Sequence, residues 1–141
     1  MTVAIRELLP QDRPALRLLY LETRRNRFTW VDSARFALDD FDAAIEGETL
    51  LVALAAGTPV GFVAWWPPEN FIHSLFVKPD HQRRGIGTAL LTACLAQVGR
   101  PAQLKCAQAN ADALAFYRSH GWTVDGEGVG PDGEYYLMTH Q

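Results

Sequence analysis

Residues Gln82 to Thr88 read Gln-Arg-Arg-Gly-Ile-Gly-Thr, and their types and spacing suit the holding of phosphate. Glycines let the backbone come close to an oxyanion. A helix start offers N–H groups without intrahelical partners and the positive end of the helix dipole. Arg83 and Arg84 add permanent charge that can fork onto phosphate oxygens. The flanking segments suit such a role. The apolar run Phe71–Val77 leads in through a Pro79 turn, and an amphipathic pattern leaves from Ala89. A lone Gly-x-Gly is also a common packing turn, so the client of these residues must be read from the rest of the chain.

Two nucleotide readings weaken at once. A Walker A loop needs Lys-Ser/Thr after its last glycine, and Thr88-Ala89 follows here. A dinucleotide fingerprint needs a third glycine where Leu90 stands, and an acidic residue on the next strand, where 102–107 has none. The net charge of −3 argues against a general nucleic-acid partner, because no basic excess exists to release counterions from a polyanion. Cys94 and Cys106 have no His or Cys at ligand spacing and fall in apolar patterns, which predicts buried, inert thiols and no metal site. The chain starts on a strand-like Thr2–Arg6 rather than a signal-like segment, and no apolar run approaches membrane-spanning length. A reduced cytoplasm and no membrane partner are the expectation.

The elements that must position these residues follow from periodicity. At 141 residues, with 48% apolar and 21% charged, the chain suits one domain, 1–141, with its own core. A first strand holds Val3 and Ile5. Asp12 then caps a helix with Pro14 in its first turn and Leu16, Leu19 and Tyr20 on one face. That helix runs into a basic and aromatic connector, 24–30, and a short helix around Phe41, Ala44 and Ile45 closes at Gly47. Strands 50–55, 59–66 and 71–77 form a meander, with a turn over 56–58. A helix over 85–97, a strand over 102–107 and a helix from Asn110 to Gly121 come next, then a hairpin of 122–125 and 135–139 around Gly130-Pro131-Asp132-Gly133. The fold class is α/β, with a mixed, largely antiparallel sheet and about four helices. Its parallel step is the crossover from 71–77 to 102–107.

A second motif names the client. Asn110 to Trp122 reads Asn-Ala-Asp-Ala-Leu-Ala-Phe-Tyr-Arg-Ser-His-Gly-Trp. Together with Gln82, Gly85 and Gly87, this resembles the GCN5-related N-acetyltransferase superfamily, and in particular its small single-domain bacterial members. The resemblance spans nearly the whole chain. It implies a GNAT-like fold whose sheet is splayed at the cofactor site, and acetyl-CoA as acetyl donor. The backbone of Leu75, Phe76 and Val77 would pair with the pantetheine arm, as in strand addition. The pyrophosphate would rest on the turn formed by Gln82, Arg83, Arg84, Gly85, Ile86, Gly87 and Thr88. Asn110 would reach the pantetheine amides, which is compatible with an N-cap role through a different atom. Phe116 would wall the donor. Tyr117 would be the general acid that protonates the leaving thiolate, although by spacing alone it reads as a core aromatic beside Ala113 and Phe116.

The general base is left open. Positions where relatives carry a Glu hold Phe71 and Lys105 here. His73, expected on one strand face with Phe71, Leu75 and Val77, is one option. Glu69 and a water chain to solvent are the others. For the acceptor, the resemblance points to the connector 25–35 and the last loop, 126–134. Phe28, Trp30 and Phe36 offer walls. Arg25, Arg27 and Arg35 would suit an anionic acceptor, whereas Glu127, Asp132 and Glu134 would suit a cationic amine. Trp65 and Trp66 alternate, so one should face the core and the other the acceptor side or a helix. The leading function is acetyl transfer to a primary amine of a metabolite or protein in a direct ternary complex, by a monomer or homodimer. The alternatives are an acyl-CoA sensor without turnover and a dimeric scaffold joined by a sheet edge or the last hairpin.

Overall fold

In the computed structural model, which describes residues 3–141, apolar alternation resolves into one seven-stranded sheet of order β1-β2-β3-β4-β5-β7-β6. The strands are β1 (Val3–Glu7), β2 (Thr49–Ala55), β3 (Thr58–Trp66), β4 (Phe71–Val77), β5 (Ala102–Ala107), β6 (Thr123–Gly130) and β7 (Gly133–His140). Neighbours pair antiparallel except β4 and β5, which are parallel. The helices are α1 (Arg13–Arg27), α2 (Asp40–Ala44), α3 (Ile86–Leu95) and α4 (Ala111–Ser119). Thr2 lies outside the described residues.

Helices cover both faces of the sheet, and each face has its own core. Under α1 and α2 lie Leu16, Leu19, Phe41, Val52 and Phe62. Under α3 and α4 lie Val63, Trp65, Leu90, Leu91 and Trp122. Burying each of these side chains contributes roughly 2 kcal/mol against the entropy of ordering it. Gly61 sets how closely α3 approaches, because a Cβ there would stand 2.8 Å from the Phe76 carbonyl and 3.1 Å from Leu90. The β2–β3 hairpin closes through Ala56 and Gly57, both with positive φ, as a two-residue turn matched to strand twist requires.

Three local expectations change. Arg24, Arg25 and Arg27 are the last turn of α1 rather than a connector, where cations face the negative end of the helix dipole. Asp12 occupies the start of α1, but its carboxylate turns back to take both Arg6 nitrogens (2.7 and 3.0 Å) and the Leu9 N–H (2.8 Å). An ion pair to β1 there outcompetes a helix cap. The last hairpin is longer than its apolar residues suggest, because Gly126, Gly128 and Gly130 lie in the ladder of β6 and not in a loop.

Candidate active site

The sheet comes apart in its middle. β4 and β5 pair only at Phe71 with Gln103 and at Ile72 with Leu104. β5 then stays with β7 along its length, while β4 stays with β3. The cause lies in β4. Ala64 faces Ser74 but Trp65 faces Ile72, so His73 is an extra residue, a β-bulge that bends the strand where pairing stops. A cleft of about 750 Å³ opens there, between β4, β5, α1, α3 and α4.

The exposed edge of β4 carries free backbone groups. The Lys78 N–H donates to the Val60 carbonyl at 2.8 Å. By strand alternation Phe76 also addresses β3, while Leu75 and Val77 turn their polar groups to the gap. The Gln82 side-chain amide donates to the Val77 carbonyl at 2.9 Å, so Gln82 ties the turn to the end of the strand. At the other side of that turn Arg83 and Gly85 both have positive φ (63° and 82°). The first helical bond of α3 runs from Ala89 N–H to Gly85 carbonyl at 3.0 Å, which leaves the Ile86, Gly87 and Thr88 N–H groups without helical acceptors. Arg83, Gly85, Gly87 and Thr88 line the cleft. Two expected residues play other parts. The Ile86 side chain is buried in the core and anchors the turn from below, and Arg84 is exposed and is not part of the cleft wall.

The facing wall is α4. Asn110 caps it, its side-chain oxygen accepting from the Ala113 N–H at 3.2 Å, and its amide nitrogen has no protein partner among the described residues. Phe116 stands beside Gly87, where an added Cβ would be 3.5 Å from the ring. Tyr117 also lines the cleft, its ring set edge-on to Phe116 and Trp122. Burial, followed by the neighbouring Cys106 and Cys94 thiols, raises the Tyr117 phenol well above its ordinary value. It is therefore protonated at working pH. The thiols are themselves pushed up by burial, Cys94 to about 12 and Cys106 to about 11, so neither is a nucleophile. His120 joins α4 to the turn: its Nδ1–H donates to the Phe116 carbonyl at 2.7 Å, and Nε2 accepts from the Thr88 hydroxyl at 3.0 Å.

The opposite wall departs further from expectation. The bulge puts Phe71 and His73 on the α1–α2 side, whereas Leu75 and Val77 pack toward α3. The four residues do not share a face. The His73 ring lies tilted against Phe71 (4.8 Å between centroids, 40° between planes) and its Nδ1 lies 3.0 and 3.2 Å from the two Glu48 oxygens. Because a carboxylate only accepts, Nδ1 carries the hydrogen. His73 lines both the cleft and a second cavity of about 530 Å³ walled by Tyr20, Trp66, Glu46, Glu48 and Glu69. Glu69 thus belongs to that second cavity. Trp65 is in the core, and Trp66 is the tryptophan that faces the second cavity.

The connector arginines are engaged within the protein. Arg27 reaches Asp112 across the cleft at 2.7 Å, Arg24 reaches Asp40 at 3.1 Å, Arg35 reaches Asp132 at 3.5 Å, and Arg25 donates to the Phe36 carbonyl at 3.4 Å. Phe28 lines the cleft, while Phe36 is buried. Glu48, Thr23 and His120 escaped the sequence reading. Glu48 follows a helix-closing Gly47 with no motif around it. Thr23 sits within an ordinary helical stretch, yet its hydroxyl is buried at the cleft wall without a partner. Among the described residues no group of three or more His, Cys, Asp or Glu could hold a metal, and no helix is long and apolar enough to cross a membrane.

The family model described as acetyltransferase (GNAT) family matches residues 13–122. The fold is similar to the solved structure of YjaB from Escherichia coli, with a TM-score of 0.81 at 18% identity, covering 99% of this chain and 98% of that one. It is also similar to PaiA N-acetyltransferase from Thermoplasma acidophilum in complex with coenzyme A (TM-score 0.74, 19% identity, 100% and 99% covered). A third similar structure is the ribosomal-protein-S18-alanine N-acetyltransferase of Escherichia coli (TM-score 0.75, 20% identity, 99% and 93% covered). No curated protein matches the chain by sequence.

Proposed function

Because this chain belongs to the acetyltransferase (GNAT) family, we propose that it transfers an acetyl group from acetyl-CoA to a primary amine, directly and without a covalent enzyme intermediate. The observation that carries this reading is the opening between β4 and β5, with the N–H groups of the turn before α3 at one end and Tyr117 on its wall. The residues present fit the donor. The free backbone groups of Leu75 and the N–H of Val77, whose carbonyl is taken by Gln82, suit the amides of an extended arm. The N–H groups of Ile86, Gly87 and Thr88, with Arg83, suit a pyrophosphate. The unused amide nitrogen of Asn110 suits a carbonyl of the same arm. Acetyl-CoA, when bound, supplies an activated acetyl thioester. Tyr117, the one phenol lining this cleft among the described residues, gives its proton to the departing sulfur.

The acceptor enters, on this reading, from the second cavity. Glu46 and Glu69 make no ion pair among the described residues, and Tyr20 and Trp66 offer aromatic walls. Carboxylates beside aromatic faces favour an ammonium over an anion. Of the arginines that would have favoured an anionic acceptor, Arg27 and Arg35 are occupied by Asp112 and Asp132, and Arg25 by the Phe36 carbonyl. His73 stands where the two cavities meet and takes the proton of the amine. The test is thermal unfolding with acetyl-CoA, CoA or ATP, followed by thiol release over a panel of amines. CoA species at a hundred times their Kd should stabilise by about 2.7 kcal/mol, ATP should not, and amines with cationic tails should release thiol fastest. Stabilisation without thiol release from any amine would leave the acyl-CoA sensor as the function.

A further inference from the structure

We infer that Glu48 is a positioning residue for proton removal: it fixes the His73 tautomer and supports the charge that His73 acquires. This rests on the acetyl-transfer reading given above. The Glu48 side chain is only 4% exposed, while that of His73 is 49% exposed. A carboxylate so far out of water is costly unless it is paired. Yet its sole hydrogen-bond partner among the described residues is His73 Nδ1, at 3.0 and 3.2 Å. The two groups are 25 residues apart in sequence. The β4 bulge brings them together, since it turns His73 off the Leu75 and Val77 face toward the start of β2.

The chemical consequence follows from acid–base rules. With Nδ1–H committed to the carboxylate, Nε2 is the free, basic nitrogen, and it belongs to a ring that lines both cavities. As the amine attacks, its N–H bond breaks and the proton passes to His73 Nε2. The nitrogen pair forms the new N–C bond. The C–S bonding pair leaves with sulfur, which takes the Tyr117 proton. Glu48 then faces an imidazolium, which its charge stabilises, in the manner of a buried acid behind a catalytic imidazole. Other ionisable groups line the two cavities that His73 lines: Glu46, Glu69 and Tyr20 in the second cavity, and Arg27, Arg83, Lys105, Cys106, Asp112 and Tyr117 in the cleft. Glu48 is the one bonded to the imidazole.

The experiment combines imidazole nitrogen NMR with pH–rate profiles of thiol release by wild type, Glu48→Gln, His73→Ala and the double variant. In the wild type, NMR should report His73 with the hydrogen on Nδ1. In Glu48→Gln the KM for acetyl-CoA should hold, kcat should fall roughly 10- to 100-fold, and the acid limb of the profile should move to lower pH as the imidazolium loses its anionic neighbour. The double variant should be no slower than His73→Ala. A wild-type His73 with its hydrogen on Nε2 would overturn the assignment, and so would a loss in Glu48→Gln with an unmoved acid limb, or full additivity in the double variant. The tautomer measurement needs neither turnover nor a variant that folds. It decides the Glu48–His73 pair even if no amine is acetylated, an outcome that would count against the acetyl-transfer reading alone.

Discussion

The two walls of the opening are made from different materials. The α3–α4 wall offers mostly backbone and locally placed groups: N–H groups of residues 86–88, the capping Asn110, and Phe116 with Tyr117 one helix on. The α1–α2 side, where Thr23 and His73 line the opening and the second cavity lies behind them, is assembled from side chains of well-separated segments: Tyr20 and Thr23 on α1, Glu46 and Glu48 before β2, Trp66 and Glu69 before β4, and His73 on the bulge. The first kind of wall depends on turn geometry and tolerates little change of backbone. The second depends on how helices are held against the sheet, and it is held by ion pairs. Asp12 pins α1 to Arg6, Asp42 takes Arg13 and Arg17, and Asp40 takes Arg24.

The sharpest break of that contrast is Tyr117→Phe. It keeps the α4 wall in shape and removes one proton donor. Turnover should fall about 100- to 10,000-fold, equivalent to roughly 3–5 kcal/mol, with acetyl-CoA affinity by calorimetry unchanged. Full turnover across pH would remove Tyr117 as the acid.

Next in size is Asp12→Ala, which acts on the other wall. Loss of a buried carboxylate with charge-assisted bonds should cost on the order of 2 kcal/mol of stability in denaturant unfolding, while the stabilisation by acetyl-CoA persists. The pH dependence has a definite sign. Asp12 is held below the ordinary carboxylate range chiefly by the Arg6 hydrogen bonds, Asp42 chiefly by Arg17, and Asp40 chiefly by the Ala37 N–H and then Arg24. A depressed folded value contributes stability above the unfolded value of about 3.9, and that contribution is lost as pH falls through the folded value. Wild-type stability should therefore drop below about pH 4, and more shallowly in Asp12→Ala. Parallel acid profiles would show that the Arg6 pair contributes nothing.

Gly85→Ala probes the backbone wall. Nothing lies within 4 Å of a Cβ at Gly85, so the cost is conformational, from its φ of 82°, and amounts to about 1 kcal/mol. The Kd for CoA should rise up to about tenfold, because the same distortion misaims the N–H groups. An unchanged Kd would mean that the turn is not the cradle. The smallest effect is expected of Arg27→Ala. Its pair with Asp112 bridges the two walls but is exposed, 34% and 69% for the two side chains, so stability should shift by less than about 1 kcal/mol. Stopped-flow binding of CoA should quicken in both directions with Kd little altered. A tenfold weaker Kd would place Arg27 on the donor itself.

Legibility in the sequence followed the same division. Gln82, Gly85, Gly87, Asn110 and Tyr117 carry motif spacing because turn and helix-start geometry leaves few residue choices at each step. The strands 71–77 and 102–107 were readable from apolar runs with the bounds they have in the structure. The β6 strand was not, because its alternate glycines read as loop until β7 supplies the ladder. The face of His73 was misread for a related reason. Strict alternation holds in an isolated strand, but a bulge is decided by the register of the neighbouring strand, and β3 leaves His73 without an opposite residue.

The sequence alone determined the element order, the glycine-rich turn before α3 and the family resemblance, because each rests on local backbone rules or on spacing within one βα unit. Tertiary structure decided the rest. It turned the arginines of α1 inward to aspartates 16 and 85 residues away. It set Glu48 against His73, and placed both at a cavity no motif announced. Long-range side-chain pairs are chosen by how helices and strands come to rest on one another, and a carboxylate carries no mark of its partner until that packing exists.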